Sequence, residues 1–195
     1  MMDHYYKEIQ GWFNFHDVYT NAANIFPDNS LFVEIGSWKG TSAAYMGVEL
    51  INLNKKNTKF VCVDTWGEND DDEYKSLQSY KNDKSVITNR LYEEFLYNIK
   101  PLQNNGLNIV PIKNRSDLAV SDFVDNSIDF LYIDGSHQYK NVKNDILLYL
   151  PKMKTNSIVA GHDCRDPDVK RATEECFGKD KITHSKDTWI FHINK

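Results

Sequence analysis

Five short apolar runs recur along this chain, each long enough for one β-strand, and each separated from the next by far more residues than a hairpin turn uses. They are Leu31–Ile35, Lys59–Val63, Asn108–Ile112, Ile128–Ile133 and Ser157–Ala160. Such spacing suits parallel strands, because a parallel pair needs a crossover of about a dozen residues or more, usually a helix. The intervening segments carry that helical signal. Val18, Tyr19, Ala22 and Ile25 repeat at the α-helical period from Phe15 until Pro27 ends the pattern, and a second helix is expected from Thr41 to Leu53. Leu91, Phe95, Leu96 and Ile99 mark a third, with Asn89 as its cap and Pro101 beyond its end. Val142, Ile146, Tyr149 and Leu150 form the next apolar stripe before Pro151, and Asp166-Pro167 can open a last helix. Ile182–His184 and Thr188–Ile193 read as a terminal hairpin. The expected fold is a doubly wound α/β sandwich with a mostly parallel sheet and helices on both faces. Ligands bind such sheets at the carboxyl ends of the strands.

Composition narrows the function. With 195 residues the chain fits one domain, 1–195, with residues 1–30 as an N-terminal helical segment. Its 23 basic and 28 acidic residues leave a net charge of −5, which argues against a nucleic-acid partner. No apolar run approaches a membrane span; Ile146 to Leu150 is the longest, and the first residues lack a signal-peptide pattern. Three cysteines, Cys62, Cys164 and Cys176, form an odd set without metal-type spacing and suit a reducing cytoplasm.

Chemistry is expected where the strands stop. The first strand runs through Glu34 into Gly36-Ser37-Trp38-Lys39-Gly40-Thr41-Ser42, a turn whose two glycines let backbone amides approach a ligand at a helix N-terminus. The third glycine of a dinucleotide fingerprint is absent, which disfavours a nicotinamide or flavin site. Glu34 sits in an apolar strand, a costly place for a carboxylate without a partner. Asp64 ends the second strand, where an acid can accept both hydroxyls of a ribose or simply cap the turn Asp64-Thr65-Trp66-Gly67.

Three strand-end motifs, Val33-Glu34-Ile35-Gly36-Ser37-Trp38-Lys39-Gly40-Thr41-Ser42, Val61-Cys62-Val63-Asp64-Thr65-Trp66 and Tyr132-Ile133-Asp134-Gly135-Ser136-His137, resemble those of class I S-adenosylmethionine-dependent methyltransferases. Within that class the chain is most similar to small-molecule O-methyltransferases of the macrocin and catechol type, over about residues 11–178. The resemblance implies a seven-stranded Rossmann-like sheet with a C-terminal antiparallel hairpin. It implies that the glycine turn (Gly36, Ser37, Trp38, Gly40, Thr41) holds the methionine moiety, with Ser42 near its carboxylate and Glu34 near its amino end. Asp64, followed by Thr65 and Trp66, would bind the ribose, Ser116 would meet the adenine, and Asp134 would border the cofactor.

Asp134 and His137 follow the fourth strand, and His162 and Asp163 follow the fifth. Neighbouring strand ends bring Asp134 and Asp163 within reach of one hard divalent cation, magnesium or manganese. Such an ion would chelate an acceptor hydroxyl and lower its pKa, and His137 would take the proton as general base. Metal-dependent relatives usually carry an acid or amide pair after strand five. His162 departs from that pattern, either as a softer ligand suited to manganese, iron or zinc, or as a loop histidine outside the ligand set.

The expected function is therefore metal-assisted O-methylation of a small-molecule hydroxyl, such as that of a sugar or natural product. The alternatives are a metal-independent methyltransferase, a cofactor-binding module without turnover, and a metal hydrolase. Residues 66–100 read as a lid-like insertion whose run Glu68, Asp70, Asp71, Asp72 and Glu73 is acidic, with Trp66 and Tyr74 lining it or anchoring it. Trp12, Phe13 and Phe15 read as packing for the first helix, and Cys62 as core. A homodimer is one option for the assembly, which the sequence leaves open.

Overall fold

The computed structural model describes residues 1–67 and 81–194. Seven strands form one sheet: β1 (Leu31–Ile35), β2 (Lys59–Asp64), β3 (Asn108–Lys113), β4 (Ile128–Ile133), β5 (Met153–Gly161), β6 (Thr183–Ser185) and β7 (Thr188–Ile193). Their order is β3-β2-β1-β4-β5-β7-β6, parallel from β3 to β5 and antiparallel for β7 against both neighbours. Chain order reverses between β1 and β4, the switch point at which open α/β sheets form their ligand crevice.

The helices are α1 (His16–Ile25), α2 (Thr41–Asn52), α3 (Lys84–Ile87), α4 (Leu91–Asn104), α5 (Ser116–Ala119), α6 (Tyr139–Tyr149) and α7 (Pro167–Phe177). Strand side chains alternate between faces, so each strand feeds two cores. Phe32, Phe60, Cys62, Phe130 and Tyr132 pack with α1, α2 and α4. Val33, Val61, Leu131, Ile133 and Val159 pack with α6 and α7. All six residues of β4 are buried, as a central strand covered on both faces requires.

Three local expectations are corrected. Asn89 does not cap α4: with φ +53° it closes α3, where the Arg90 amide returns to the Ser85 carbonyl, and asparagine tolerates that left-handed turn. Arg90 is the residue before α4. Pro101 does not end this helix, which continues to Asn104 because Ile99 and Leu102 on either side are fully buried. The lost amide falls in the last turn, and tertiary burial outweighs it. Trp12 is half-exposed, lies outside the buried core around α1 and stacks on Trp38 with ring centroids 5.1 Å apart. The fifth strand is also longer than its apolar run, beginning at Met153.

The chain before α1 folds back over α2. Asn52 exchanges two hydrogen bonds with the backbone of Met2, and the Tyr5 hydroxyl donates to the Asn98 carbonyl. The Thr41 hydroxyl donates to the Gln10 carbonyl, which brings residues 9–14 across the sheet's carboxyl edge. Of the lid-like segment, residues 68–80 lie outside the described residues, including the acidic run and Tyr74. Among the described residues no helix is long and apolar enough to cross a membrane.

Candidate functional site

A cleft of about 520 Å³ opens over the carboxyl ends of the strands. Backbone pairing sets its floor. The Gly36 amide donates to the Val63 carbonyl, the Asp134 amide to the Ile35 carbonyl and the His162 amide to the Ile133 carbonyl, so the residues after β1, β4 and β5 stay in register beyond the strands. Gly36 has φ +88°, and a Cβ there would stand 2.1 Å from the Asp134 carbonyl oxygen. Glycine is needed at this point, where two strand ends cross. The turn then closes through the Gly40 amide to the Ser37 carbonyl and presents the first turn of α2, Thr41 and Ser42, to the cleft.

The acids of this half behave differently. Asp64 accepts the amides of Trp38 and Trp66, each at 2.8 Å, which locks the glycine turn to the end of β2. Burial raises its carboxyl above the usual range, against those donated amides. Glu34 is fully buried and accepts the Tyr19 hydroxyl at 2.6 Å through Oε2. Burial raises its carboxyl, opposed by the nearby Ser37, Tyr19 and Ser42 hydroxyls. Its Oε1 and the neighbouring Ser37 Oγ are buried without a hydrogen-bond partner among the described residues. Buried polar atoms are rarely left so. An incoming ammonium group would satisfy both, so the donor set fits the amino end of a bound amino-acid moiety. Trp66 is buried against Phe95, its indole N–H donating to the Trp38 carbonyl at 2.6 Å, so it anchors the turn from beneath. Thr65 lines the cleft beside it.

Ser116 opens α5 at the cleft's edge and donates to Asp145 Oδ1 at 2.5 Å. Asp145 is a residue that the motif reading passed over. It lies on the buried stripe of α6 with Val142, Ile146 and Tyr149, and burial pushes its carboxyl up to about 6 despite the Ser116 hydroxyl. A lone acid on an apolar helical stripe was the available signal. Lys39 was missed too. Its ammonium is buried in the turn, 2.6 Å from Asp83 and 3.2 Å from Glu94.

At the other end the structure brings together Asp134, His137, His162 and Asp163. His137 Nε2 lies 2.8 Å from Asp163 Oδ2, and His162 Nδ1 lies 3.1 Å from the same oxygen and 3.6 Å from Asp134 Oδ1. Ligand atoms of Asp134, His162 and Asp163 all fall within 4.8 Å of one another, a spread that one cation can bridge. Burial pushes Asp134 up to about 7, opposed by His162. Burial also acts to raise Asp163, but hydrogen bonds from His137 and His162 hold it far below the usual carboxylate range. His162 is displaced the other way, since burial would lower it and the two carboxylates raise it. Two acids and an imidazole nitrogen facing one small volume fit a divalent cation in their donor chemistry.

A family profile described as a methyltransferase domain matches residues 33–164. Uncharacterized protein R132 of Acanthamoeba polyphaga mimivirus is 30% identical over 158 residues, 78% of this chain. The chain spans 60% of the length of that relative. Among solved structures, the O-methyltransferase NovP superposes with a TM-score of 0.68 at 16% identity, covering 92% of this chain and 79% of that one. CalS11, a TDP-rhamnose 3'-O-methyltransferase of calicheamicin biosynthesis, superposes with a TM-score of 0.59 at 15% identity, covering 92% and 77%. At these identities the likeness to both structures is one of fold.

Proposed function

The chain belongs to the family of methyltransferase domains, and from that premise we propose that it transfers a methyl group from S-adenosylmethionine to a hydroxyl of a small molecule, with a divalent cation at Asp134, His162 and Asp163. One observation carries this reading: a single cleft is lined by Ser37 of the glycine turn, with the unsatisfied Glu34 oxygen buried beside it, and by the acid–histidine cluster one strand away. The first suits the donor's amino end and the second an acceptor hydroxyl. CalS11 acts on a sugar and shares the fold, which supports a sugar or a similar polyol as the acceptor class.

The chain's residues divide the work. Asp64 binds the ribose hydroxyls, and Glu34 and Ser37 hold the ammonium group. Ser42 lies at the N-terminus of α2, where backbone amides favour the carboxylate. Ser116 borders the adenine. The cation, when bound, supplies Lewis acidity that lowers the acceptor hydroxyl's pKa. His137 donates Nε2–H to Asp163 and takes the hydroxyl proton at Nδ1, and the Asp163 carboxylate stabilises the imidazolium that results. Positioning of the oxyanion in line with the sulfonium methyl then carries the rate.

The test is methyl transfer from labelled S-adenosylmethionine to a panel of nucleotide sugars and polyols, with chelator and cation add-back. Transfer that stops with chelator and returns with manganese or magnesium is the expected result. Transfer that ignores the chelator favours a second reading, in which His137 acts alone. The close pairing of His137 and His162 with Asp163 supports that reading, because the carboxylate already has two imidazole partners without an ion. Binding without transfer to any acceptor would overturn both.

A further inference from the structure

His162 is set from outside its cluster. Its Nε2 lies 3.0 Å from the side-chain oxygen of Asn14, in the loop before α1. The ring packs on Phe15 with centroids 5.2 Å apart, and Phe15 stacks in turn on Tyr132. Asn14 is itself held, because Lys186 in the β6–β7 turn donates to its backbone carbonyl at 3.0 Å. An amide oxygen only accepts, so Nε2 carries a proton and Nδ1 is the nitrogen left to bind a cation. Nδ1 is the nitrogen that faces Asp134 and Asp163, so a cation displacing its proton would meet one nitrogen and two carboxylate oxygens, Asp163 Oδ2 also accepting from His137. A ring held in this tautomer is poised to ligate through Nδ1, and supporting hydrogen bonds of this kind fix ligating histidines elsewhere.

We infer that Asn14 is the positioning residue that makes His162 a nitrogen ligand through Nδ1, and that this bond sets the centre's preference for a borderline transition ion such as manganese over magnesium. Magnesium prefers oxygen donors and holds its waters, whereas imidazole suits the transition ions. A carboxylate in place of His162 would give an all-oxygen set and lose the distinction. The inference rests on the metal-assisted reading above, and its test separates the two.

Two measurements on the purified protein decide it. With ¹⁵N-labelled histidine in the metal-free protein, at a pH high enough to leave the ring neutral, the His162 ring, assigned by its disappearance in His162→Asp, should show the Nε2–H tautomer. The Asn14→Ala variant should show a mixture. Calorimetry with manganese or magnesium chloride should then give a manganese affinity about 10-fold weaker in Asn14→Ala, with magnesium within about 2-fold of wild type. His162→Asp should narrow the ratio between the two ions, and Asn14→Gln should recover part of it. Asn14 is exposed, so a folding defect in Asn14→Ala is not expected, and circular dichroism checks this. An Nδ1–H tautomer in the wild type, or unchanged manganese affinity in Asn14→Ala, overturns the inference and spares the metal site. Absence of any cation binding in the wild type overturns the metal site and the inference together.

Discussion

Asp145 shows how a single buried acid sets a pH dependence. Its folded pKa, about 6, lies above the ordinary aspartate value of 3.8, so the folded protein binds that proton more tightly than the unfolded chain does. The stability it contributes is fully present below about pH 4 and is lost as pH rises through about 6. Above that range a buried charge remains, with the Ser116 hydroxyl and the Arg115 charge against it. Asp145→Asn keeps an acceptor for Ser116 and removes the charge. Thermal unfolding near pH 8 should therefore show the variant more stable by on the order of 1–2 kcal/mol, a gain of roughly 2–8 °C. Near pH 4 the two proteins should melt together, and an equal gain at both pH values would refute the assignment. His137 is tested by turnover. His137→Ala should lower the rate by about 10²–10⁴-fold while cofactor affinity, read by calorimetry, stays within about 2-fold. Loss of cofactor binding in that variant would instead mark His137 as part of the donor pocket.

At the scale of elements, the glycine turn between β1 and α2 is clamped from two directions. Asp64 holds it to β2 through backbone amides, and Lys39 reaches the other way to Asp83, which accepts the Ser85 and Val86 amides as the cap of α3. Both side chains of the Lys39–Asp83 pair are almost wholly buried. Removing one partner of such a pair strands the other charge, and the loss is typically about 3–5 kcal/mol. Asp83→Ala should fall at the low end, about 3 kcal/mol by denaturant unfolding, because Glu94 stays near the ammonium. The Lys39→Met, Asp83→Ala double variant should recover part of the loss. Additive destabilisation in the double variant would show that the two charges are not coupled. The strand ends themselves were legible in the sequence, because a strand's apolar run stops where its backbone leaves the sheet. The helix boundaries at Asn89 and Pro101 were not, since burial of Leu102 and the left-handed turn at Asn89 depend on neighbours distant in the chain.

For the whole molecule, a donor that spans the cleft should stabilise the fold by mass action. With S-adenosylhomocysteine at about a hundredfold over its Kd, the gain is roughly 2.7 kcal/mol. For a chain of this size that corresponds to a rise of roughly 5–10 °C in Tm. Differential scanning fluorimetry checks this, and no shift at saturating ligand would remove the donor from the cleft. The alternation of strands and helices, and the acids and glycines at the strand ends, are local properties. Hydrophobic period and the chirality of parallel crossovers turn them into one sheet, with Glu34, Gly36, Asp64, Asp134, His137, His162 and Asp163 along one edge. The sequence alone therefore determined the fold class, the edge that carries the candidate site and most of the groups on it. What only the tertiary structure decided are the partners brought in from other elements. Tyr19 meets Glu34, Asp83 meets Lys39, Asp145 meets Ser116, and Asn14 meets His162 across 148 residues. No periodicity or motif encodes these pairs. They arise because packing α1, α4, α6 and the N-terminal loop onto the sheet brings these polar atoms together in space.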